Sequence, residues 1–248
     1  MRVAVAGGPG VVGRHTVAAL RSAGHEPVVI ARSQGVDVVS GDGLDAALEG
    51  VAVVIDVCNV AALGRARSEA FFDVATTNLL AAGQRAGVGH YAVLSIVGCD
   101  RVDLGYYFGK RRQEALALTG PLPASVLRAT QFHEFPAQLL ERAPGGPVIT
   151  VPRMRSQPVA SREVAAALVD IAFGEPIGMA GEIAGPEVHD MPDLVRLVLR
   201  SQGSRRAVFG IRLPGVTGRA LAGGGLLPHN SARRGEQTFA EWLGSRTT

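Results

Sequence analysis

Short apolar runs alternate with longer stretches of helical periodicity through the first half of the chain. Two sets of segments follow from this pattern. Apolar runs predict strands at residues 2–6, 27–31, 36–40, 51–57, 90–95 and 124–128, and helical spacing predicts helices at 11–23, 44–49, 68–85 and 107–118. The alternation predicts an α/β protein with a doubly wound parallel sheet, whose strands present their carboxyl ends at one ligand-binding edge.

The second half of the chain has a weaker pattern, and no Pro- or Ser-rich linker separates the halves. We predict helices at 135–142, 162–173, 191–201 (with Asp190 as N-cap) and 237–243, strands at 148–151 and 182–184, and a loop-rich cap at 203–234. We therefore divide the chain into a core, residues 1–133, and a small C-terminal lobe, residues 134–248, packed on the core as a single structural unit.

A glycine-rich loop joins the first predicted strand to the first predicted helix, with the skeleton Gly7-x-x-Gly10-x-x-Gly13. Glycines there allow a tight turn and close approach to a pyrophosphate, and the helix N-terminus offers free N–H groups to phosphate. The alternative is a simple turn without a ligand. We predict a dinucleotide site that includes Gly7, Gly8, Pro9, Gly10, Val11, Val12 and Gly13.

The residues after the second predicted strand distinguish NADP from NAD. A site for NAD has an acidic residue there, which accepts a hydrogen bond from the ribose 2′-hydroxyl. This chain has Arg32 and Ser33, which can bind a 2′-phosphate, and Arg14 could add a second positive charge. We therefore predict NADP(H) in preference to NAD(H). In the next loop, beside Gly43, Asp42 either accepts from the adenine amino group or caps the following helix.

Composition and charge exclude several classes of protein. Of 248 residues, 47% are hydrophobic, which is too many for a disordered chain, yet no apolar run reaches the ~18 residues of a membrane span. A net charge of +3 with scattered arginines argues against nucleic acid as a partner. Two cysteines cannot form a disulfide framework, the N-terminus is unlike a signal peptide, and the histidines lack metal-ligand spacing. We expect a cytoplasmic protein without a metal or a membrane partner.

One lysine stands out among the basic residues. Lys and Arg together number 25, and the 24 arginines leave only Lys110. Lys110 lies four residues after Tyr106, so the two share one face of a helix that follows the predicted strand ending at Ser95. An ammonium there would lower the pKa of the phenol and bind the nicotinamide ribose, for which the wide guanidinium has the wrong shape. We predict Ser95, Tyr106 and Lys110 as catalytic, with Tyr107 competing for the tyrosine role.

These features resemble the short-chain dehydrogenases/reductases. The chain shares their glycine loop, Ser95 and the Tyr106-x-x-x-Lys110 pair. The segments 94–98, 127–133 and 238–243 are similar to phrases of the atypical branch that includes NmrA-like and triphenylmethane-reductase-like proteins. The resemblance implies a Rossmann fold that binds NADP(H) in the core and substrate between the sheet edge and the lobe.

The resemblance also implies which residues surround the ligands. Besides the glycine loop and Lys110, the predicted cofactor contacts are Arg32, Ser33, Asp42, Gly43, Cys58, Asn59, Val60, Ala129, Thr130 and Gln131. The predicted substrate contacts are Val97, Tyr107, Phe132, His133 and Phe135. Typical members complete a proton relay with an asparagine, and here Asp73 stands near that place with Asn78 one turn further on.

Two functions of different classes follow. The first is an NADPH-dependent reductase that transfers hydride to a carbonyl, quinone or conjugated acceptor of a small hydrophobic or aromatic substrate, with help from Ser95, Tyr106 and Lys110. The alternative is a non-catalytic NADP(H)-binding sensor that reports redox state to a protein partner. The oligomeric state stays open, with a homodimer as one option.

Overall fold

The computed structural model describes residues 1–61 and 64–246, and a seven-stranded parallel sheet lies at its centre. In that part of the chain the strands are β1 Arg2–Ala6, β2 Glu26–Ile30, β3 Val53–Asp56, β4 His90–Ile96, β5 Ala124–Ala129, β6 Val148–Pro152, β7 Arg155–Ser156, β8 Gly178–Ala184, β9 His189–Asp190, β10 Ala207–Ile211 and β11 Arg233–Arg234. The central sheet has the order β2-β1-β3-β4-β5-β8-β11, while β6 pairs with β10 and β7 with β9.

Helices cover both faces of the central sheet. They are α1 Val11–Ser22, α2 Leu44–Leu48, α3 Arg65–Arg85, α4 Gly105–Thr119, α5 Phe135–Arg142, α6 Ser161–Ala172, α7 Met191–Ser201, α8 Gly215–Ala222 and α9 Phe239–Gly244. Apolar residues of α1 and α6 pack on one face of the sheet, and those of α2, α3 and α4 pack on the other. The predicted doubly wound α/β class is therefore confirmed. No helix in the described part of the chain is long and apolar enough to cross a membrane.

The prediction of a strand at residues 36–40 is wrong. After a 3₁₀ turn at Arg32–Gln34, this segment folds back on itself: the Asp37 N–H donates to the Asp42 carbonyl at 3.0 Å, and the Gly41 N–H donates to the Asp37 carbonyl at 2.8 Å. Gly41 has a φ of 85°, which favours glycine and reverses the chain. Because these backbone groups bond locally, β2 remains the edge strand.

The core extends beyond the predicted boundary at residue 133. Strands β8 and β11 complete the central sheet, and α6 packs against α1. Apolar residues on the two faces of the sheet form two clusters. The remaining C-terminal elements contribute to a third apolar cluster, centred on α7, that includes Phe239 and Trp242. The predicted loop-rich cap at 203–234 contains β10, α8 and β11. The predicted N-cap Asp190 precedes α7 but makes no side-chain capping bond, whereas Thr238 and Glu241 form a capping box at α9.

Candidate functional site: a glycine loop and a tyrosine–lysine pair at one edge of the sheet

The glycine loop joins β1 to α1 at the carboxyl edge of the sheet. Gly7 has a φ of 83°, and its N–H donates to the Ile30 carbonyl at 3.0 Å. A Cβ on Gly13 would lie 2.6 Å from the Gly8 carbonyl oxygen, so any side chain there would push α1 away from the loop. Gly10 stands at the N-cap of α1 without a side chain over the first N–H groups. The loop therefore has the tight turn and open helix N-terminus that a pyrophosphate requires.

Two of the residues predicted to bind a 2′-phosphate, Arg32 and Ser33, lie exposed in the turn after β2. Arg14 is exposed on the first turns of α1. Neither arginine forms an ion pair with a residue in the described ranges, so both guanidinium groups can take an anionic ligand. The turn holds no acidic residue to repel a phosphate.

The next loop, residues 37–43, decides between the two roles considered for Asp42. Its carboxylate accepts from the Ser40 hydroxyl at 2.7 Å, and the N-cap of α2 is Gly43, with no side-chain bond. The capping role is therefore wrong, and the exposed carboxylate stays a predicted adenine contact. Asn78 fixes this loop, because its amide donates to the carbonyls of Val38 and Val39 at 3.0 Å each.

Tyr106 stands in the first turn of α4, facing the segment that leaves β3. Its hydroxyl donates to Oδ1 of Asn59 at 2.6 Å, and its ring meets Phe72 edge to face at 5.8 Å. Burial raises the pKa of Tyr106, and neighbouring Tyr107 and Asp56 raise it further. Tyr106 is thus a neutral phenol at physiological pH.

Lys110 lies one turn further along α4 and is buried. Its ammonium donates to the Leu94 carbonyl at 2.6 Å and to Oε1 of Gln113, and it lies 4.7 Å from the centre of the Phe72 ring. The expected lowering of the phenol pKa by this ammonium is wrong, because burial raises the pKa of Tyr106 and the ammonium is bonded to Leu94 and Gln113.

Ser95 lies beneath the edge, against α4. Only 2% of the residue is exposed, and its hydroxyl lies 3.8 Å from the Cys99 sulfur. Cys99 in turn contacts Glu114, whose carboxylate receives two hydrogen bonds from Arg128 at 2.8 and 2.7 Å. The Ser95 hydroxyl thus faces α4 from a buried strand position, and its role in polarising a substrate oxygen stays a prediction.

A buried carboxylate that the sequence pattern did not reveal lies at the end of β3. Oδ2 of Asp56 accepts from the Tyr91 hydroxyl at 2.5 Å and from Nε2 of Gln113 at 2.8 Å, and Oδ1 accepts from the Cys58 N–H at 2.8 Å. Burial and Asp56 raise the pKa of the Cys58 thiol, which keeps it un-ionised. The sequence does contain an indication of this site, because a charged residue in an otherwise apolar central strand needs buried partners.

Both residues considered for the proton relay are engaged elsewhere. Asp73 pairs with Arg112 at 2.5 Å on the exposed surface of α3 and α4, and Asn78 holds the 37–43 loop. In the described hydrogen bonds neither residue contacts Tyr106 or Lys110, and the group that does bind the Tyr106 hydroxyl is Asn59. Asn59 was predicted as a cofactor contact.

Most of the predicted substrate and nicotinamide contacts after β4 and β5 are closely packed. Val97 and His133 are fully buried, and Tyr107 is 7% exposed. His133 belongs to the lobe core: Nε2 lies 3.0 Å from the Gln237 carbonyl, its ring packs on Trp242, and burial lowers its pKa. These contacts give His133 a structural role, and its substrate contact stays a prediction.

The residues after β5 also make contacts within the protein, but some of them are only half-buried. The Thr130 hydroxyl donates to the Gln157 carbonyl at 2.6 Å, Oε1 of Gln131 accepts from Ser156 at 2.7 Å, and Phe132 bridges to Val159. Phe132 and Phe135 are half-buried. The substrate contacts of these two residues stay predictions.

Similar folds occur among solved structures, whereas no protein-family model matches the sequence and no curated protein sequence is significantly similar. MoeE5 in complex with UDP-glucose and NAD is 18% identical over 100% of this chain and 97% of its own, with a TM-score of 0.75. The NADPH-dependent quinone oxidoreductase QOR2 from Escherichia coli, complexed with NADPH, is 18% identical over 99% of this chain and 100% of its own (TM-score 0.71). A short-chain dehydrogenase/reductase superfamily protein from Agrobacterium tumefaciens with bound NAD is 20% identical over 100% and 96% (TM-score 0.70). The chain therefore shares the Rossmann-type fold of these proteins.

Proposed function

We propose that the protein is an oxidoreductase that uses NADPH to reduce a carbonyl, quinone or conjugated acceptor of a small hydrophobic or aromatic molecule. The observation that carries this proposal is the Tyr106 hydroxyl, held at the ligand edge of the sheet by Asn59 and one helical turn from the ammonium of Lys110. The fold shared with QOR2, an NADPH-dependent quinone oxidoreductase, supports the class of reaction.

The residues at the edge fit a dinucleotide. The tight glycine loop and the uncapped N-terminus of α1 at Gly10 match a pyrophosphate site, and the exposed Arg32 and Ser33 match a 2′-phosphate. Asn59 and Val60 lie in the segment that follows β3, where the nicotinamide half would pass. A bound reduced nicotinamide would supply the hydride.

Tyr106 has the protonation state that reduction needs. Because burial raises its pKa, the phenol keeps its proton at neutral pH and can donate it to a substrate oxygen that gains charge. Asn59 accepts from the hydroxyl at 2.6 Å and so holds the proton donor at the edge until a substrate replaces that contact. We assign the Lys110 ammonium to the nicotinamide ribose and not to the phenol, because it is bonded to Leu94 and Gln113.

The substitution Tyr106→Phe tests this function. Purified protein is titrated with NADPH and NADH by fluorescence, and oxidation of NADPH is then followed at ~340 nm with a panel of quinones and aromatic ketones. We expect tighter binding of NADPH than of NADH, and we expect Tyr106→Phe to lower kcat/KM by about 10²- to 10⁴-fold with little change in NADPH affinity.

The control is Asp73→Asn, because Asp73 lies in a surface ion pair with Arg112. That variant should turn over like the unmodified protein. Equal rates for Tyr106→Phe and the unmodified protein would show that Tyr106 is not the proton donor.

One observation favours the sensor as a second candidate. The Ser95 hydroxyl faces Cys99 and Glu114, so the site holds fewer groups for a substrate oxygen than a complete serine–tyrosine–lysine set would. A sensor would bind NADPH in the same titration but would oxidise none of it across the panel.

A further inference from the structure

A line of three buried polar side chains runs from β3 to Lys110. The Asp56 carboxylate accepts from Nε2 of Gln113 at 2.8 Å, and Oε1 of the same amide accepts from the Lys110 ammonium. The three residues are 1%, 1% and 3% exposed, so water does not compete for these bonds. A neutral amide thus separates a buried carboxylate from a buried ammonium and bonds to both.

The two charged ends fix the orientation of the amide. An amide has a donor end and an acceptor end, whereas a carboxylate only accepts and an ammonium only donates. Turning the Gln113 amide over would set its NH₂ group against the ammonium and its oxygen against the carboxylate, and it would lose both charge-assisted bonds. Asp56 is itself held by the Tyr91 hydroxyl and the Cys58 N–H, which makes it a rigid anchor.

We propose that Gln113, oriented by Asp56, is a positioning residue that holds the Lys110 ammonium in place and in its charged state beneath the dinucleotide site. An ammonium has three N–H donors. Leu94 and Gln113 take two of them, which leaves one for a ribose hydroxyl. The inference rests on the proposed dinucleotide binding only for that last donor, because the position of the ammonium is set by the chain alone.

The surroundings of Lys110 explain why it needs such a partner. Burial lowers the pKa of Lys110, and the groups that oppose burial are Asp56 from β3, Cys99, Glu114 from α4, and Cys58. The Glu114 carboxylate is already bonded to Arg128, and α3 contributes the Phe72 ring. The Gln113 oxygen is therefore the side-chain acceptor that touches the ammonium directly.

The single lysine makes the test direct. Protein labelled with ¹⁵N or ¹³C in lysine side chains gives one Lys110 signal, because all the other basic residues among the 25 are arginine. Its titration is followed by NMR without cofactor or substrate in the unmodified protein, in Gln113→Met and in Gln113→Glu. The control is Gln84→Met, an exposed glutamine on α3.

We expect opposite shifts from the two substitutions at position 113. Gln113→Met removes the acceptor, so the pKa of Lys110 should fall; Gln113→Glu places a carboxylate beside the ammonium, so the pKa should rise. Asp56→Asn, which frees the amide to turn over, should also lower it. A residue that only fills space would give shifts of the same sign for Met and Glu, or none, and that result would overturn the inference.

A binding measurement separates this inference from the proposed function. NADPH affinity of Gln113→Met should fall by about tenfold or more relative to Gln84→Met, the loss expected for a displaced charged hydrogen bond. If no variant, and not even the unmodified protein, binds NADPH, the proposed function fails while the NMR titration still decides the role of Gln113.

Discussion

Arg128 connects two carboxylates beneath the site through one guanidinium group. It donates twice to Glu114, at 2.8 and 2.7 Å, and once to Asp100 at 2.7 Å. The side chains of Arg128 and Glu114 are only 12% and 9% exposed. A paired charge at such depth is costly to break, because the remaining partner stays buried without compensation.

We predict that Glu114→Gln lowers the free energy of unfolding by about 2–4 kcal/mol at neutral pH, measured by urea denaturation. Asp73→Asn, which breaks the exposed pair with Arg112, should cost less than about 1 kcal/mol. Similar losses for the two variants would contradict this account of the buried pair.

The same pair predicts a pH dependence. Burial raises the pKa of Glu114, but hydrogen bonds from Arg128 and Ser95 outweigh it and hold the pKa below its usual value. Stabilisation from this carboxylate is therefore present above its unfolded pKa of about 4.3 and is lost as the pH falls through the folded pKa. The stability difference between Glu114→Gln and the unmodified protein should shrink accordingly in acid.

At the scale of elements, the β1–α1 junction shows how closely a loop can constrain a helix. The N-terminal turn of α1 sits so near the loop that a Cβ on Gly13 would lie 2.7 Å from the Gly8 Cα, which is closer than real Cβ contacts allow. The backbone of Gly13 is part of α1, so relief of this contact must move the whole helix start.

We predict that Gly13→Ala abolishes measurable NADPH binding and lowers the melting temperature by several degrees, because α1 must shift away from the loop. Gly64→Ala serves as the control, since a Cβ there meets nothing within 4 Å. Fluorescence titration and thermal unfolding of both variants measure the effect. Binding by Gly13→Ala at the strength of Gly64→Ala would contradict the role of the junction.

At the scale of the whole molecule, the last described residues close the lobe onto the sheet core. Oε1 of Glu163, on α6, accepts from the N–H groups of Glu236 and Gln237 at 3.0 Å each. Nε2 of His133 is hydrogen-bonded to the Gln237 carbonyl, and the imidazole ring packs on Phe239 and Trp242. Helix α6, through Glu163, and the buried imidazole of His133 thus hold the segment that precedes α9.

We predict that Glu163→Ala lowers the free energy of unfolding by about 2 kcal/mol, because two backbone donors lose a charged acceptor. Trypsin should also cleave faster after Arg233 and Arg234, the exposed residues of β11 that precede the released segment. Glu236→Ala, at an exposed side chain, is the matched control. Unchanged cleavage in Glu163→Ala would show that this carboxylate does not hold the segment.

The sequence predicted much of the fold because its evidence is local. Bounds for β1 and α7 match in full, since an apolar run ending in glycines and a strong helical period need no distant partner to be recognised. The strand prediction at 36–40 is wrong because it also used local evidence alone. The β-branched residues there favour a strand, but hydrogen bonds among residues 37–42 and from the Asn78 amide of α3 hold the segment as a turn.

The sequence by itself determined the parallel sheet, the glycine loop, and the Tyr106–Lys110 pair on one helix, because spacing along the chain sets each of them. Only the tertiary structure decided where the polar groups point. It placed the Ser95 hydroxyl beside Cys99, paired the Tyr106 hydroxyl with Asn59, and joined Asp56 to Gln113 across 57 positions of sequence. Such pairings depend on how strands and helices pack, and no local period records them.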